Sequence, residues 1–188
     1  MLVASTAAVG GGIGLRDWVV NVQVPNGYAR RDIEDHIGEV AQALRLTGQG
    51  VGMLTAADVD RVAVHAGEPG VRVEATVGLS SPMWAAAPAD GVTAEDAGLP
   101  GTINVVAFVP VRHSEAALAN LLCTVTEAKV QALVDGAIAG TGTATDAVTV
   151  LCPATGPAEP FGGPRSSYGA RVARAVYAAL RAGMDSTA

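Results

Sequence analysis

The stretch from Gly101 to Asp146 constrains this chain more than any other. It reads GTINVVAFVPV, then SEAALANLLCTVTEAKVQAL, then GTGTATD. Thr102–Val109 is a near-continuous apolar run, which predicts a strand buried on both faces and central in its sheet. Ser114–Val134 predicts a helix that is almost free of charge, with Ser114 as its N-cap. A hydroxyl- and glycine-rich loop closes the unit and leads into a second strand, Asp146–Leu151. Among the polar residues in this apolar frame, Asn104, Thr126, Glu127, Lys129 and Asp146 stand out. Burying such groups costs free energy unless they are paired, so each needs either a structural partner or a chemical role.

Helical geometry separates two of them. Leu118, Leu122, Val125 and Ala132 mark an apolar stripe, and at about 100° per residue Lys129 falls near its centre. A lysine there must meet a carboxylate or reach solvent along its own stem. Glu127 points the opposite way, toward Ala116, Ala119, Asn120, Cys123 and Val130. A helix apolar nearly all round is expected to be covered on both sides, which makes Glu127 and Lys129 two half-buried charges that do not pair with each other. Each is either half of a structural ion pair or a catalytic group.

Leu2–Ala8 and Asp17–Val24 predict strands around a Gly10-Gly11-Gly12 turn. Asp32–Leu46 has a helical apolar face at Ile33, Ile37, Val40, Ala41 and Leu44, with acids in the first turn and Arg45 in the last. Gly50–Leu54 is a short apolar piece, and Thr55–Asp58 resembles a capping box for a single helical turn. Arg61–Ala66 and Val71–Leu79 predict a hairpin across Gly67-Glu68-Pro69-Gly70. Ser80–Pro100 has no clear period. A connection this long is often a lid, and its Met83 and Trp84 would either close over an apolar ligand or anchor the loop to the body. Ser166 or Ser167 caps a final helix to about Ala182. Its buried face is Tyr168, Val172, Val176, Ala179 and Leu180, while Arg171, Arg174 and Arg181 face water. Together these elements predict a single α/β (α+β) domain over residues 1–188, a mixed sheet of about six strands packed with helices.

Only 16% of the 188 residues are charged, against 49% hydrophobic, so the chain can build a sizeable core. Its net charge of −6, with no basic run, argues against nucleic acid as a partner. No apolar run suggests a membrane span. Two cysteines without a CxxC motif suit a reduced, cytoplasmic compartment. His36, His65 and His113 have no metal-like spacing, so no protein-bound metal or cofactor is expected. There is neither a G-x-S-x-G elbow nor a Cys-His signature. The Thr141-Gly142-Thr143-Ala144-Thr145-Asp146 loop offers hydroxyls and accessible N–H groups that suit an oxyanion or an amide, but it also suits an ordinary helix-to-strand turn. Asn104, inside an apolar strand, either finds local partners or faces a cleft.

Three segments, Gly101-Thr102-Ile103-Asn104, Thr126-Glu127-Ala128-Lys129 and the TGTATD loop ending in Asp146, resemble the adenosylcobinamide amidohydrolase family, CbiZ. The resemblance extends to VVNVQVP (Val19–Pro25), VGMLTAAD (Val51–Asp58), VGLS (Val77–Ser80) and RVARAVYAAL (Arg171–Leu180). It implies cytoplasmic corrinoid salvage: hydrolysis of the amide joining aminopropanol to the corrin ring of adenosylcobinamide, giving adenosylcobyric acid. The cobalt belongs to the substrate. The resemblance supports the positions of Glu127, Asp146 and Lys129 as candidate catalytic residues; by residue type, Glu127 or Asp146 is the base, and Lys129 with the Thr141–Thr145 loop stabilises the oxyanion. Asn104, Thr141, Gly142, Thr143, Thr145, Ser80, Trp84 and Arg165 are candidate substrate contacts. The chain departs from the family pattern in three places. Ser81 stands where Asn is usual, Ala144 where a second glycine is usual, and Arg165 where a histidine is usual. Arg165 cannot replace a histidine base. These departures keep a non-catalytic corrinoid-binding relative as the alternative. A homodimer is compatible with the large apolar fraction.

Overall fold

The computed structural model describes residues 1–88 and 101–185. Its main sheet is the six-stranded mixed sheet that the sequence predicts. The strands are β1 (Leu2–Ser5), β2 (Gly12–Leu15), β5 (Ala63–His65), β6 (Arg72–Val77), β7 (Ile103–Phe108) and β8 (Ala147–Cys152), in the spatial order β2-β1-β8-β7-β6-β5. β7 and β8 are parallel and every other neighbouring pair is antiparallel. Two parallel strands need a long crossover, and α2 (Glu115–Asp135) provides it. The apolar run of β7 accordingly sits inside the sheet between β6 and β8.

One face of this sheet is covered by α2 and α3 (Ser167–Asp185). Ile103, Val105 and Ala107 of β7 meet Leu118, Leu121 and Val125 of α2 and Val172, Val176 and Leu180 of α3 in a single core. The opposite face carries a separate layer. β3 (Trp18–Gln23) and β4 (Gly50–Thr55) pair in parallel around α1 (Ile33–Ala43), and Val51 and Met53 pack on Val3 and Ala147. Period 2 explains the sorting: alternate residues of β7 and β8 feed opposite layers.

Several expectations need correction. The first strand ends at Ser5, and the glycine turn leads into the short edge strand β2. Asp17–Val24 and Gly50–Leu54 contain strands that lie outside the main sheet. α1 ends at Ala43. Arg45 adopts a left-handed φ of 56° past the helix end, the conformation a terminating residue takes there. Leu44 is therefore exposed. Thr55 caps nothing. Asp58 caps a 3₁₀ turn over Val59–Arg61 by accepting from the Asp60 N–H.

α2 is covered on one side only. Its outer face, including Ala116, Ala119, Asn120, Cys123 and Glu127, meets solvent. Small and weakly polar side chains make a face that water tolerates without charge, which is why low charge there does not signal burial. Among the described residues, α2 alone is long and apolar enough to cross a membrane by length and composition. In this fold it is the core helix. Ser114 caps it, accepting from the Ala117 N–H at 3.1 Å, and Ser166 does the same for α3 through the Gly169 N–H. Arg174 meets Glu68 in a two-bond contact at 2.7 and 2.8 Å, while Arg181 is half-buried beside Gly136 and does not face water freely.

Both cysteines are free, Cys123 exposed and Cys152 buried. Burial pushes the Cys152 thiol up from its ordinary range. A thiol-reactive dye at pH 8 is expected to label Cys123 in the folded protein and Cys152 only after denaturation. Two equally fast reactions would contradict this packing.

Candidate functional site

The N-terminal ends of β7 and β8 lie side by side, and Asp146 stands immediately before β8. Its side chain turns toward α2, while the next residue, Ala147, turns toward the β3–β4 layer. The carboxylate receives four donors. Oδ1 accepts from the Ile103 N–H at 2.9 Å and from the Thr143 hydroxyl. Oδ2 accepts from the Thr143 N–H at 3.1 Å and from the Lys129 ammonium. Four donors match the acceptor capacity of one carboxylate. The lysine stripe on α2 thus finds the partner that its burial demands: the side chains of Lys129 and Asp146 are only 8% and 10% exposed.

The loop wraps this pair closely. A Cβ on Gly142 would collide with both the Asp146 carboxylate and the Lys129 ammonium. Thr141 faces the other way, its hydroxyl accepting from the Ala85 N–H at 2.9 Å. Its own N–H donates to the Met83 carbonyl, and the Met83 N–H donates to the Gly142 carbonyl. The start of the Ser80–Pro100 connection is thereby stitched to the motif loop, with Trp84 half-exposed at the rim. Residues 89–100, the rest of the expected lid, lie outside the described residues. Ser80 sits beside Gly101, which also packs on Thr143.

Asn104 belongs to the opposite face. Its amide donates to Asn21 Oδ1 at 2.8 Å and to the Leu54 carbonyl at 2.9 Å, and its oxygen accepts from the Ala147 N–H at 3.2 Å. Asn21 in turn donates to the Thr76 hydroxyl at 3.0 Å. This relay ties β3, β4, β6 and β8 to β7 and borders a cavity of about 230 Å³. Thr145 also faces this side, its hydroxyl 2.7 Å from that of Thr102. Both line a larger cavity of about 310 Å³ with Tyr28, Arg30, Met53 and Thr55. The Arg30 guanidinium is already held by Asp32 and Glu39 at 2.7 and 2.8 Å. It holds both carboxyls below their usual range, so the cavity is effectively neutral.

The expected residues therefore separate. Lys129, Thr141, Gly142, Thr143, Asp146 and Ser80 gather at one side of the sheet end, and Asn104 and Thr145 at the other. Glu127 is exposed on the outer face of α2, with no bond to Lys129 or Asp146. Arg165 is exposed at the head of α3. Its neighbour Gly163 approaches Asn120, about 13 Å along the α2 axis from Lys129. Sequence reasoning passed over Asn21, Thr76, Thr102 and Tyr28. The one usable signal was Asn21, a lone amide inside the alternating VVNVQV run. Among the described residues no three His, Cys, Asp or Glu side chains gather as metal ligands would.

A buried ion pair, a loop of hydroxyls and amides, and a neutral cavity at one sheet end give this α/β protein a concave region of the size small molecules occupy. The chain belongs to the adenosylcobinamide amidohydrolase family, CbiZ, whose model matches residues 1–188. A protein of Halobacterium salinarum named adenosylcobinamide amidohydrolase is 41% identical over 119 residues, 62% of this chain and 51% of that protein. The match thus spans about half of that relative's length. A Methanosarcina mazei protein of the same name is 28% identical over 191 residues, 97% of this chain and 90% of that protein. No solved structure matches the chain.

The ion pair is expected to be asymmetric under mutation. Asp146→Ala strands a buried ammonium and frees the Ile103 and Thr143 N–H groups, so it should cost about 3–5 kcal/mol of stability. Lys129→Met leaves the carboxylate three donors and should cost less. Urea denaturation measures both, and equal losses would contradict the four-donor arrangement. Gly142→Ala should also lower the melting temperature, because backbone and both charges must shift to admit a methyl group.

Proposed function

We propose that this chain hydrolyses the amide joining aminopropanol to the corrin ring of adenosylcobinamide, releasing adenosylcobyric acid and the free amine in cytoplasmic corrinoid salvage. The observation that carries this reading is family membership along residues 1–188, together with the gathering of Lys129 from α2 and Thr143 and Asp146 from the following loop into one largely buried cluster. The names of the two relatives support the substrate.

Amide hydrolysis adds the hydroxyl of water to the acyl carbon, breaks the C–N bond and delivers a proton to the departing amine. It calls for a base near the water, donors for the oxyanion and a proton source for the amine. In this reading Asp146 is the base. Lys129 offers the N–H groups that Asp146 leaves unused, and the loop amides add further donors. The Thr143 hydroxyl, already hydrogen-bonded to Asp146, links the carboxylate to the loop surface. Glu127, exposed on the outer face of α2, has the weaker claim to the base role. Asn104, tied to Leu54 and Ala147, acts through the shape of the sheet end and not by touching the scissile amide.

One observation favours a second reading. A carboxylate that already accepts four donors takes up a proton only by releasing one of them, and this suits a structural anchor in a corrinoid-binding relative without hydrolase activity. Incubation of the purified protein with adenosylcobinamide separates the two readings. The hydrolase is expected to yield adenosylcobyric acid and aminopropanol, whereas a corrin spectral shift without product would leave only binding. Lys129→Met should lower kcat/KM by about 10²–10³-fold, the usual effect of losing one oxyanion donor. Loss of turnover in Glu127→Gln, with Lys129→Met and Asp146→Asn still active, would overturn this assignment of roles.

A further inference from the structure

The 310 Å³ cavity beside Thr145 is not used by the ion-pair cluster, yet the two share one loop. Its volume lies at the low end for ligand sites and is far too small for a tetrapyrrole-sized macrocycle. Its walls are mostly apolar, with Val9, Val24, Ile33 and Met53 among them. Arg30, the single charged side chain among the described residues that line it, is already compensated by Asp32 and Glu39, so an ionic ligand would find no unpaired counter-charge among them. Among the described residues four hydroxyls line the cavity: that of Tyr28 bonds His36 Nδ1, that of Thr55 accepts from the Ala57 N–H, and those of Thr102 and Thr145 bond each other. Thr102 is buried, and Thr145, bonded to it at 2.7 Å, is exposed. Thr145 has only a long 3.4 Å contact to the Gly101 carbonyl as a second outlet for its proton. The pair therefore keeps acceptor lone pairs and a weakly engaged O–H, enough to bond one further hydroxyl in both directions.

Resting on the amide-hydrolysis reading above, we infer that this cavity receives the amide side arm of the substrate while the macrocycle stays outside, and that Thr102 and Thr145 recognise the hydroxyl of the arm's amine end. A neutral, short, largely apolar arm with a single hydroxyl matches the cavity in volume, charge and hydrogen-bonding capacity. The chain order completes the match. Thr145 lies on the cavity side and Asp146 on the cluster side of the same strand entrance. Thr145 and Asp146 are consecutive residues, so an arm seated on Thr145 lies one residue from the strand end whose other side Asp146, Thr143 and Lys129 occupy. Thr102 and Thr145 are in this sense specificity residues.

The test compares equilibrium binding of adenosylcobinamide with that of a synthetic analogue whose hydroxypropyl amide is replaced by a propyl amide, followed through the corrin absorbance and alongside turnover. The protein is expected to bind the hydroxyl-bearing ligand on the order of 10-fold more tightly, the worth of one well-placed hydrogen bond together with the groups it would otherwise leave unpaired. Thr102→Val should bring that ratio close to one. Thr145→Val, at the more exposed partner, should do the same and carries the test should the buried substitution disturb folding, as judged by circular dichroism. Equal binding of the two ligands, a preference that survives both substitutions, or no corrin binding at all would each overturn the inference. A preference that is present without any product would instead overturn the hydrolysis reading and leave the arm cavity standing.

Discussion

One carboxylate organises this end of the molecule. Asp146 holds the Ile103 N–H at the start of β7, the Thr143 N–H and hydroxyl in the loop, and the ammonium of Lys129 from α2. Those four bonds join a central strand, the crossover helix and the loop that leads from that helix into β8. A buried charge survives only when its acceptor or donor capacity is met locally, and here each partner also satisfies the other's burial. Remove the carboxylate and the loop loses its centre, the lysine its counter-charge and β7 a partner for its first strand N–H. The arrangement is thus self-consistent, and it accounts for the glycine at position 142, where any side chain would displace the pair.

The layers follow from the same local facts. β7 and β8 send alternate residues to the helical face and to the β3–β4 face, so the sheet end has two chemically distinct sides. On one lies the ion pair. On the other lies a neutral network of amides and hydroxyls, with Asn104 bridging to Asn21, Leu54 and Ala147. The cavity opens on the neutral side and the charges stand on the other, separated by the thickness of a strand.

Much of this was legible in the residues, and for identifiable reasons. The apolar run of β7 and the Ser114 cap of α2 are short-range signals. The stripe arithmetic located Lys129 inside the core, where only a carboxylate could accompany it. What escaped was long-range or side-specific. Sequence period could not tell that α2 leaves one flank in water, because small weakly polar residues look alike in either setting. Nor could it separate Asn104 from Asp146, since residues at the starts of two paired strands can face opposite sides of the sheet. The second sheet was hidden for a related reason: β3 and β4 have strand-like composition, but their pairing depends on α1 folding back between them. Thr102 stood in a quoted motif but with no role, and acquires one only when Thr145 arrives from the loop before β8.

The backbone bridge between Met83 and Gly142 has a consequence for how outer strap and buried charge are related. The same hydrogen bonds that hold the Met83 segment also complete the turn around the ion pair. An excursion that lifts Met83 from the protein would pull on the Gly142 carbonyl and, through it, on the cradle of two opposite charges. Outer strap and inner wall are in effect one piece of masonry, so loosening of the surface segment is tied to the electrostatic grip at the centre.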